Sequence, residues 1–157
     1  MLQLNFFSNS LNLRLTLVGS KKDEYYKKLV SLGENLDVSN RVLFAGSQSK
    51  VKRFYQSADI FILSSLSEGY PNVILEAMSN GLIVIAANVG GVSELLIHGE
   101  NGYLFEHDEN ANNLTELLKK VCETDLERLN TLRIRAYETA KSYSVENMVE
   151  RYRKIYA

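Results

Sequence analysis

Two glutamates, Glu68 and Glu76, have seven residues between them, in a segment suited to binding phosphate. Gly69 permits close approach of the main chain to a ligand. Pro71 can start a helix, because its missing N–H costs nothing there, and Asn72 is a plausible cap. The amino end of such a helix presents free N–H groups and a partial positive charge to phosphate oxygens. Carboxylates accept hydrogen bonds from paired hydroxyls, which sugars and ribose both offer. The pattern therefore predicts a site for a phosphorylated sugar or nucleotide.

The predicted helix over residues 72–80 determines where Glu76 points. Its apolar positions, Val73, Ile74, Ala77 and Met78, form the side that faces the core. At ~100° per residue, Glu76 lies roughly 200° round from Ile74, so it is predicted to face the same cleft as the carboxylate before the helix. A glutamate early in a helix also stabilises the helix dipole whatever the function. The two glutamates alone therefore leave a structural interpretation open.

Strands and helices alternate along the chain, which favours an α/β fold. Short apolar runs predict strands at 13–18, 41–46, 59–65, 82–87 and 102–105. Helical spacing predicts helices between them, a stop at Gly81, and three further helices over 114–121, 126–140 and 145–156. This order predicts a single Rossmann-like domain over 1–157, with a doubly wound parallel sheet and helices on both faces. Ligands bind at the carboxyl ends of such strands, where Glu68 and its neighbours lie.

Composition excludes several other classes of protein. The chain has 157 residues and a net charge of −1, which argues against an extended nucleic-acid surface. It contains no apolar run long enough to span a membrane, and its amino end lacks the pattern of a signal peptide. Cys122 is the only cysteine and fits an apolar helix face. No ligand spacing typical of a metal site is present. We therefore expect a cytoplasmic protein with neither metal nor cofactor.

The segment around the two glutamates resembles the donor-binding, C-terminal domain of retaining glycosyltransferases of group 1, which have the two-domain GT-B fold. Matching stretches cover residues 13–20, 41–56 and 57–105, and the likeness extends over roughly 11–157. The matching positions combine into a specific set: Ala58-Asp59, the pair Glu68 and Glu76, Glu76-Ala77-Met78, Gly90-Gly91 with Glu94, and Gly99 to Gly102.

The resemblance implies roles for the residues around the predicted helix start. Glu68 is implied as the catalytic residue, near the transferred sugar and bonded to its hydroxyls. The backbone amides of Gly69 and Tyr70 would contact the same sugar. Those of Asn72 and Val73 would hold the diphosphate of the donor.

The nucleotide is implied to lie against other residues. Glu76 would bind the ribose hydroxyls, and Ser47 and Gln48 would hold the base, largely through main chain. Gly19 would let the chain pass close to the nucleotide. On residue type alone, Gly19 and Gly46 could simply be turn residues, and Ser47 and Gln48 could cap the helix that follows.

The remaining polar positions have structural interpretations that stay open. Gly90-Gly91 could belong to the site or only end a strand. Asp59 and Glu94 are interpreted as structural. His98 and His107 lie in polar turns and are predicted to be solvated rather than catalytic.

A complete enzyme of this kind has a second, N-terminal domain that binds the acceptor, a glycan or a lipid-linked sugar. That domain has no counterpart here, nor have the first strand of the donor domain and its basic loop, so a gap between neighbouring strands is expected. The resemblance implies transfer from a nucleotide diphosphate sugar, with UDP-sugars favoured, and membrane contact only through the missing domain. We expect the chain alone to be inactive. A non-catalytic nucleotide-binding subunit that needs a separate acceptor-domain chain, and an inactive truncated fragment, remain alternatives.

Overall fold

The computed structural model describes residues 13–20, 24–144, 147, 149, 153 and 154. These residues fall into two compact units, which adjoin in sequence between Lys52 and Arg53. We call the described residues up to Lys52 the small unit and those from Arg53 the large unit. Most of the predicted third C-terminal helix, over 145–156, lies outside the described residues.

The small unit has a single strand–helix–strand (βαβ) arrangement. It contains β1 (Leu15–Val18), α1 (Glu24–Asn35), a single 3₁₀ turn (Ser39–Arg41) and β2 (Val42–Gly46). The strands are parallel, with Leu15 opposite Val42. Tyr26 of α1 packs edge-on against Phe44 of β2, with ring centroids 5.2 Å apart, which seats the helix on the two strands.

The large unit is a three-stranded parallel sheet with helical connections. It contains α2 (Lys52–Gln56, beginning at the boundary), β3 (Ile60–Leu63), α3 (Asn72–Ser79), β4 (Ile83–Ala87), α4 (Val92–Leu95), β5 (Tyr103–Phe105), α5 (Asn112–Glu123) and α6 (Leu126–Ser142). The strand order is β3-β4-β5, with Ile60 opposite Ile83 and Ile85 opposite Tyr103. The strands therefore end at one common edge, from which the loop to α3 departs.

The core of the large unit lies on both faces of β4, whose five residues are all buried. Val84 and Ala86 pack with residues of α3 and α4, whereas Ile83 and Ile85 pack with residues of α5 and β5. Alternate residues of a strand point to opposite faces, so a strand covered on both sides needs an unbroken apolar run. The run over 82–87 meets that requirement and confirms the predicted buried strand.

Helix α3 ends as the sequence predicts. Gly81 has a φ of 78°, and its N–H donates to the carbonyl of Met78 at 3.0 Å. The N–H of Leu82 donates to the carbonyl of Ala77 at 3.2 Å. This pair of bonds is a Schellman cap, in which glycine supplies the left-handed residue at no steric cost. The cap turns the chain directly into β4.

The α/β fold with parallel strands is confirmed. Within the described residues, however, the strands form two sheets rather than one continuous sheet, since β1 pairs with β2 and β3 with β4. No helix in this part of the chain is long and apolar enough to cross a membrane.

Candidate functional site

The loop over residues 64–71 leaves β3 and leads into α3. Pro71 is buried and occupies the N-cap position with φ −80°, and Asn72 is the first helical residue. No side chain caps the helix, so the prediction of Asn72 as the cap is wrong. The reason is the turn before it, in which the Asn72 N–H donates to the Tyr70 carbonyl at 3.0 Å. The helix therefore begins at Asn72 itself and not at the residue after it.

The backbone amides at the start of α3 differ in availability. The Asn72 amide bonds to Tyr70, and the Ile74 amide donates to the Pro71 carbonyl at 3.0 Å. The Val73 N–H has no backbone acceptor within the described residues. An unsatisfied amide at a helix start is a donor for an anion and lies at the positive end of the helix dipole. Of the two amides implied to hold a diphosphate, that of Val73 is the one left open.

Gly90-Gly91 packs against the backbone of the loop that carries Glu68. The Gly91 N–H donates to the Gly69 carbonyl at 3.1 Å. A Cβ on Gly90 would overlap the carbonyl of Glu68, and one on Gly91 would overlap that of Gly69. Gly90 also has a φ of 51°, which disfavours any other residue. The two glycines therefore do more than end β4, because they pack against the backbone of Glu68 and Gly69, next to the half-buried Glu68 side chain.

Glu76 is exposed, away from the buried side of α3, as the helical spacing predicts. Its Oε2 atom accepts a hydrogen bond of 3.0 Å from the Tyr55 hydroxyl. The Tyr55 ring packs against Phe61 of β3, with centroids 5.8 Å apart. Burial, the hydrogen bond to Glu76 and the charge of Glu76 together raise the pKa of Tyr55 to about 12. The phenol therefore remains a protonated donor to Glu76 throughout the physiological range.

No pattern in the sequence indicates the contact between Tyr55 and Glu76. Tyr55 fits the apolar spacing of its helix, which indicates a packing residue and nothing more. The side chain does pack, yet its hydroxyl extends to a glutamate 21 residues later. No local pattern distinguishes a tyrosine that only packs from one that also donates.

The two histidines are exposed, as predicted, but each has a backbone partner. His98 accepts the Leu104 N–H at Nδ1, with a distance of 3.1 Å. Nε2 of His107 lies 3.0 Å from the Ser65 carbonyl, in the loop that leads to Glu68. His107 thus connects the exit of β5 to the exit of β3.

Three further polar residues of the large unit have different local surroundings. Asp59 is 93% exposed and lies 4.0 Å from Arg133, too distant and too solvated for a strong ion pair. Glu94 lies exposed in the first turn of α4, where a negative charge suits the helix dipole. Asn101, which the sequence did not single out, is buried, and its side chain bonds to Ile97, Leu95 and Thr139. It ties the loop before β5 to α6.

In the small unit, the implied nucleotide residues lie where β1 and β2 end. The Gly19 N–H donates to the Gly46 carbonyl at 3.1 Å. Gln48 Nε2 donates to the Ala45 carbonyl at 2.7 Å, so at least part of its side chain has a local, turn-forming role. Ser47 is exposed beside it. A pocket of about 230 Å³ at this end of the small unit is lined by Gly19, Ser20, Tyr25 and Phe44, among others.

The charged groups of the described residues do not cluster as metal ligands. No set of three or more His, Cys, Asp and Glu side chains in this part of the chain could hold a metal ion. Cys122 is half-buried on α5, and burial together with the nearby charge of Glu123 raises the pKa of its thiol.

Comparison with known proteins identifies relatives that share the sequence pattern and the fold of this chain. N-acetyl-alpha-D-glucosaminyl L-malate synthase of Bacillus anthracis is 32% identical over 148 residues, which are 93% of this chain and 38% of that protein. The crystal structure of HepE from Anabaena in complex with UDP matches with a TM-score of 0.81 and 28% identity, over 91% of this chain and 40% of HepE. The C-terminal domain of a group 1 family protein from Francisella tularensis has the same fold, with a TM-score of 0.68, 23% identity, and coverage of 76% of this chain and 62% of that one.

These matches also show how much of each relative the chain covers. It spans about 40% of the length of the glucosaminyl L-malate synthase and of HepE. Its α/β fold is that of the GT-B glycosyltransferases that it matches. Residues 6–139 match the model of the family "Glycosyl transferases group 1", and the chain belongs to that family.

Proposed function

We propose that the chain is the donor-binding domain of a glycosyltransferase and binds a nucleotide diphosphate sugar at the start of α3. The observation that carries this proposal is the open Val73 amide in the first turn of α3, which follows a loop whose backbone packs against Gly90-Gly91. The helix start suits phosphate oxygens, and the glutamates suit the hydroxyl groups on either side of a diphosphate. Solved complexes of HepE with UDP and with UDP-glucose support UDP as the nucleotide.

The proposed roles follow the order of groups in the donor. Glu68, with the amides of Gly69 and Tyr70, receives the sugar. The Val73 amide receives the diphosphate, and the Asn72 amide joins it if ligand replaces its bond to Tyr70. In the small unit, Ser47, Gln48 and Gly19 are the residues proposed for the nucleotide base. Glu76 receives the ribose.

The whole enzyme, in this proposal, transfers the sugar with retention to a glycan or a lipid-linked acceptor that a second domain binds. No metal is required, because helix amides and cationic groups of the whole enzyme stabilise the leaving diphosphate. Any contact with a membrane is made through the acceptor domain. This part rests on the family and on the length of the relatives.

The lone chain is proposed to transfer no sugar at a meaningful rate. Holding donor and acceptor together contributes ~7–11 kcal/mol of barrier lowering, and the chain supplies the donor side only. A one-sided site also stays wet, which weakens its electrostatics and lets water compete as the acceptor. A radiolabelled-donor assay, with and without an added acceptor domain, tests this. Robust transfer by the chain alone would contradict it.

Titration calorimetry on the purified chain tests the binding proposal. Nucleotide sugars are first screened by thermal shift, and the best donor is then titrated with and without EDTA, which should not change its affinity. Glu76→Gln should weaken nucleotide binding by roughly 1–3 kcal/mol. Glu68→Ala should weaken binding of the full donor more than that of the free nucleoside diphosphate. Glu138→Gln, an exposed helical glutamate on α6, is the matched control.

Two outcomes would contradict the assignments. Unchanged nucleotide binding by Glu76→Gln would remove Glu76 from the ribose. Equal losses for donor and free nucleotide in Glu68→Ala would place Glu68 away from the sugar. Nucleotide binding without transfer, even when an acceptor domain is added, would favour a non-catalytic subunit or an inactive fragment.

A further inference from the structure

The contact between Tyr55 and Glu76 joins the elements on either side of β3. Tyr55 lies on α2, before that strand, and Glu76 lies on α3, after it. The Tyr55 hydroxyl donates to Glu76 Oε2 at 3.0 Å. The hydrogen bonds of Ser79 and Asn80 reach the backbone carbonyl of Glu76 instead. Among the described residues, Tyr55 is therefore the one hydrogen-bonding partner of the Glu76 carboxylate.

We propose that Tyr55 is a positioning residue, which holds one carboxylate oxygen of Glu76 so that the other faces a hydroxyl of the nucleotide ribose. The inference rests on the proposed function, since it deepens the assignment of Glu76 to the ribose. It makes Tyr55 a determinant of specificity for ribose over sugars that lack these hydroxyls.

The geometry makes Tyr55 a rigid donor. Its ring is partly buried and packs against Phe61, so its hydroxyl has little freedom to move. An exposed glutamate on a helix surface otherwise samples many rotamers, and ordering it on binding costs entropy. A hydrogen bond from a hydroxyl to a charged carboxylate is among the stronger kinds. Tyr55 thus fixes the Glu76 side chain before the ligand arrives.

A purely structural role for Tyr55 makes a different prediction. The ring alone would account for packing against Phe61, and loss of the hydroxyl would then have no effect on ligand choice. Tyr55→Phe keeps the ring and removes the donor, so it separates the two roles. Tyr137→Phe, an exposed tyrosine on α6, is the matched control.

The experiment compares UDP with 2′,3′-dideoxy-UDP, by calorimetry on the full chain and four variants. These are Tyr55→Phe, Glu76→Gln, the double variant and Tyr137→Phe. We expect Tyr55→Phe to weaken UDP binding by about tenfold and to leave dideoxy-UDP binding unchanged. The double variant should bind UDP no more weakly than Glu76→Gln alone, because Tyr55 acts through Glu76. Tyr137→Phe should match the unmodified chain, and thermal unfolding checks that every variant is folded.

The failures are distinguishable. If Glu76→Gln abolishes the preference for UDP and Tyr55→Phe does not reduce it, the positioning role is wrong and the proposed function stands. If Tyr55→Phe lowers the affinity for UDP and for dideoxy-UDP by the same factor, the positioning role is also wrong. If the unmodified chain binds the two ligands alike, or binds neither, the assignment of Glu76 to ribose fails and this inference fails with it.

Discussion

Strands β4 and β1 have similar apolar sequences but different surroundings. All five residues of β4 are buried, whereas β1 alternates between half-buried and exposed positions, and Val18 is 42% exposed. Leu43, in β2, is 58% exposed. Within the described residues, Val38 is the one buried hydrophobic side chain of the small unit, while the large unit holds all the others. The large unit is thus stabilised by its own core, and the small unit buries little.

This difference predicts where the chain is most sensitive to truncation. Ile85→Ala should lower the free energy of unfolding by about 2–5 kcal/mol, because Ile85 is fully buried at the centre of the sheet. Leu43→Ala, in the small unit, should cost less than about 1 kcal/mol. Urea unfolding of the full chain measures both. Similar losses in the two variants would mean that the small unit shares the core stability of the large one.

The glycines offer a second contrast between the units. Gly90→Ala should cost about 2–3 kcal/mol, because the residue has a positive φ and its Cβ would overlap the Glu68 carbonyl. It should also weaken donor binding, since the loop that carries Glu68 must move. Gly19→Ala meets open space and should change stability by less than about 0.5 kcal/mol. Thermal and urea unfolding compare the two, and a stable Gly90→Ala chain would show that the loop yields easily.

Side-chain hydrogen bonds to the backbone provide a third comparison between the two units. Asn101→Ala should cost about 1–3 kcal/mol, because it removes a buried side chain that bonds to Ile97, Leu95 and Thr139. Gln48→Ala removes a half-buried bond to Ala45 in the small unit and should cost less. Urea unfolding measures both losses, as a shift of the midpoint concentration with an unchanged m value. A larger loss for Gln48→Ala would reverse the proposed distribution of stability.

What the sequence predicted well depends on local pattern. The five strands and the end of α3 at Gly81 follow from the spacing of apolar residues and from turn chemistry, and each is observed within a few residues. On α3, Ile74, Ala77 and Met78 are buried as predicted, but Val73 is 36% exposed, so its predicted place on the core side is wrong. β3 is shorter than predicted, because Ser64 and Ser65 leave the sheet.

What the sequence missed depends on distant pairing. The bond from Tyr55 to Glu76 and the packing of Gly90-Gly91 against the Glu68 loop join segments about 20 residues apart. Neither contact can be recognised from the periodic spacing of residues in the sequence. Strand patterns likewise do not encode which strands pair, so the gap expected between neighbouring strands came from the family resemblance and not from the pattern.

The smallest expected effect concerns Asp108, which stabilises the start of α5. The N-cap residue there, Ala111, has φ 54° and no side chain that can cap. Asp108 instead accepts the backbone N–H groups of Asn113, Asn112 and Asn110 at 2.8 to 2.9 Å. These bonds, chiefly from Asn113, lower the pKa of Asp108 below its usual 3.8.

The sign of the pH dependence follows from that shift. A carboxyl whose pKa is lower in the folded state stabilises the fold fully above its unfolded value and loses this contribution as pH falls through the folded value. Asp108→Asn should therefore lower Tm slightly at neutral pH, and the deficit should shrink as pH falls below 3.8. Asp59→Asn removes the same charge from a side chain that is 93% exposed, and should change Tm less at neutral pH. A deficit for Asp108→Asn that stays constant across the acid range would mean that side-chain shape, not charge, holds this helix start.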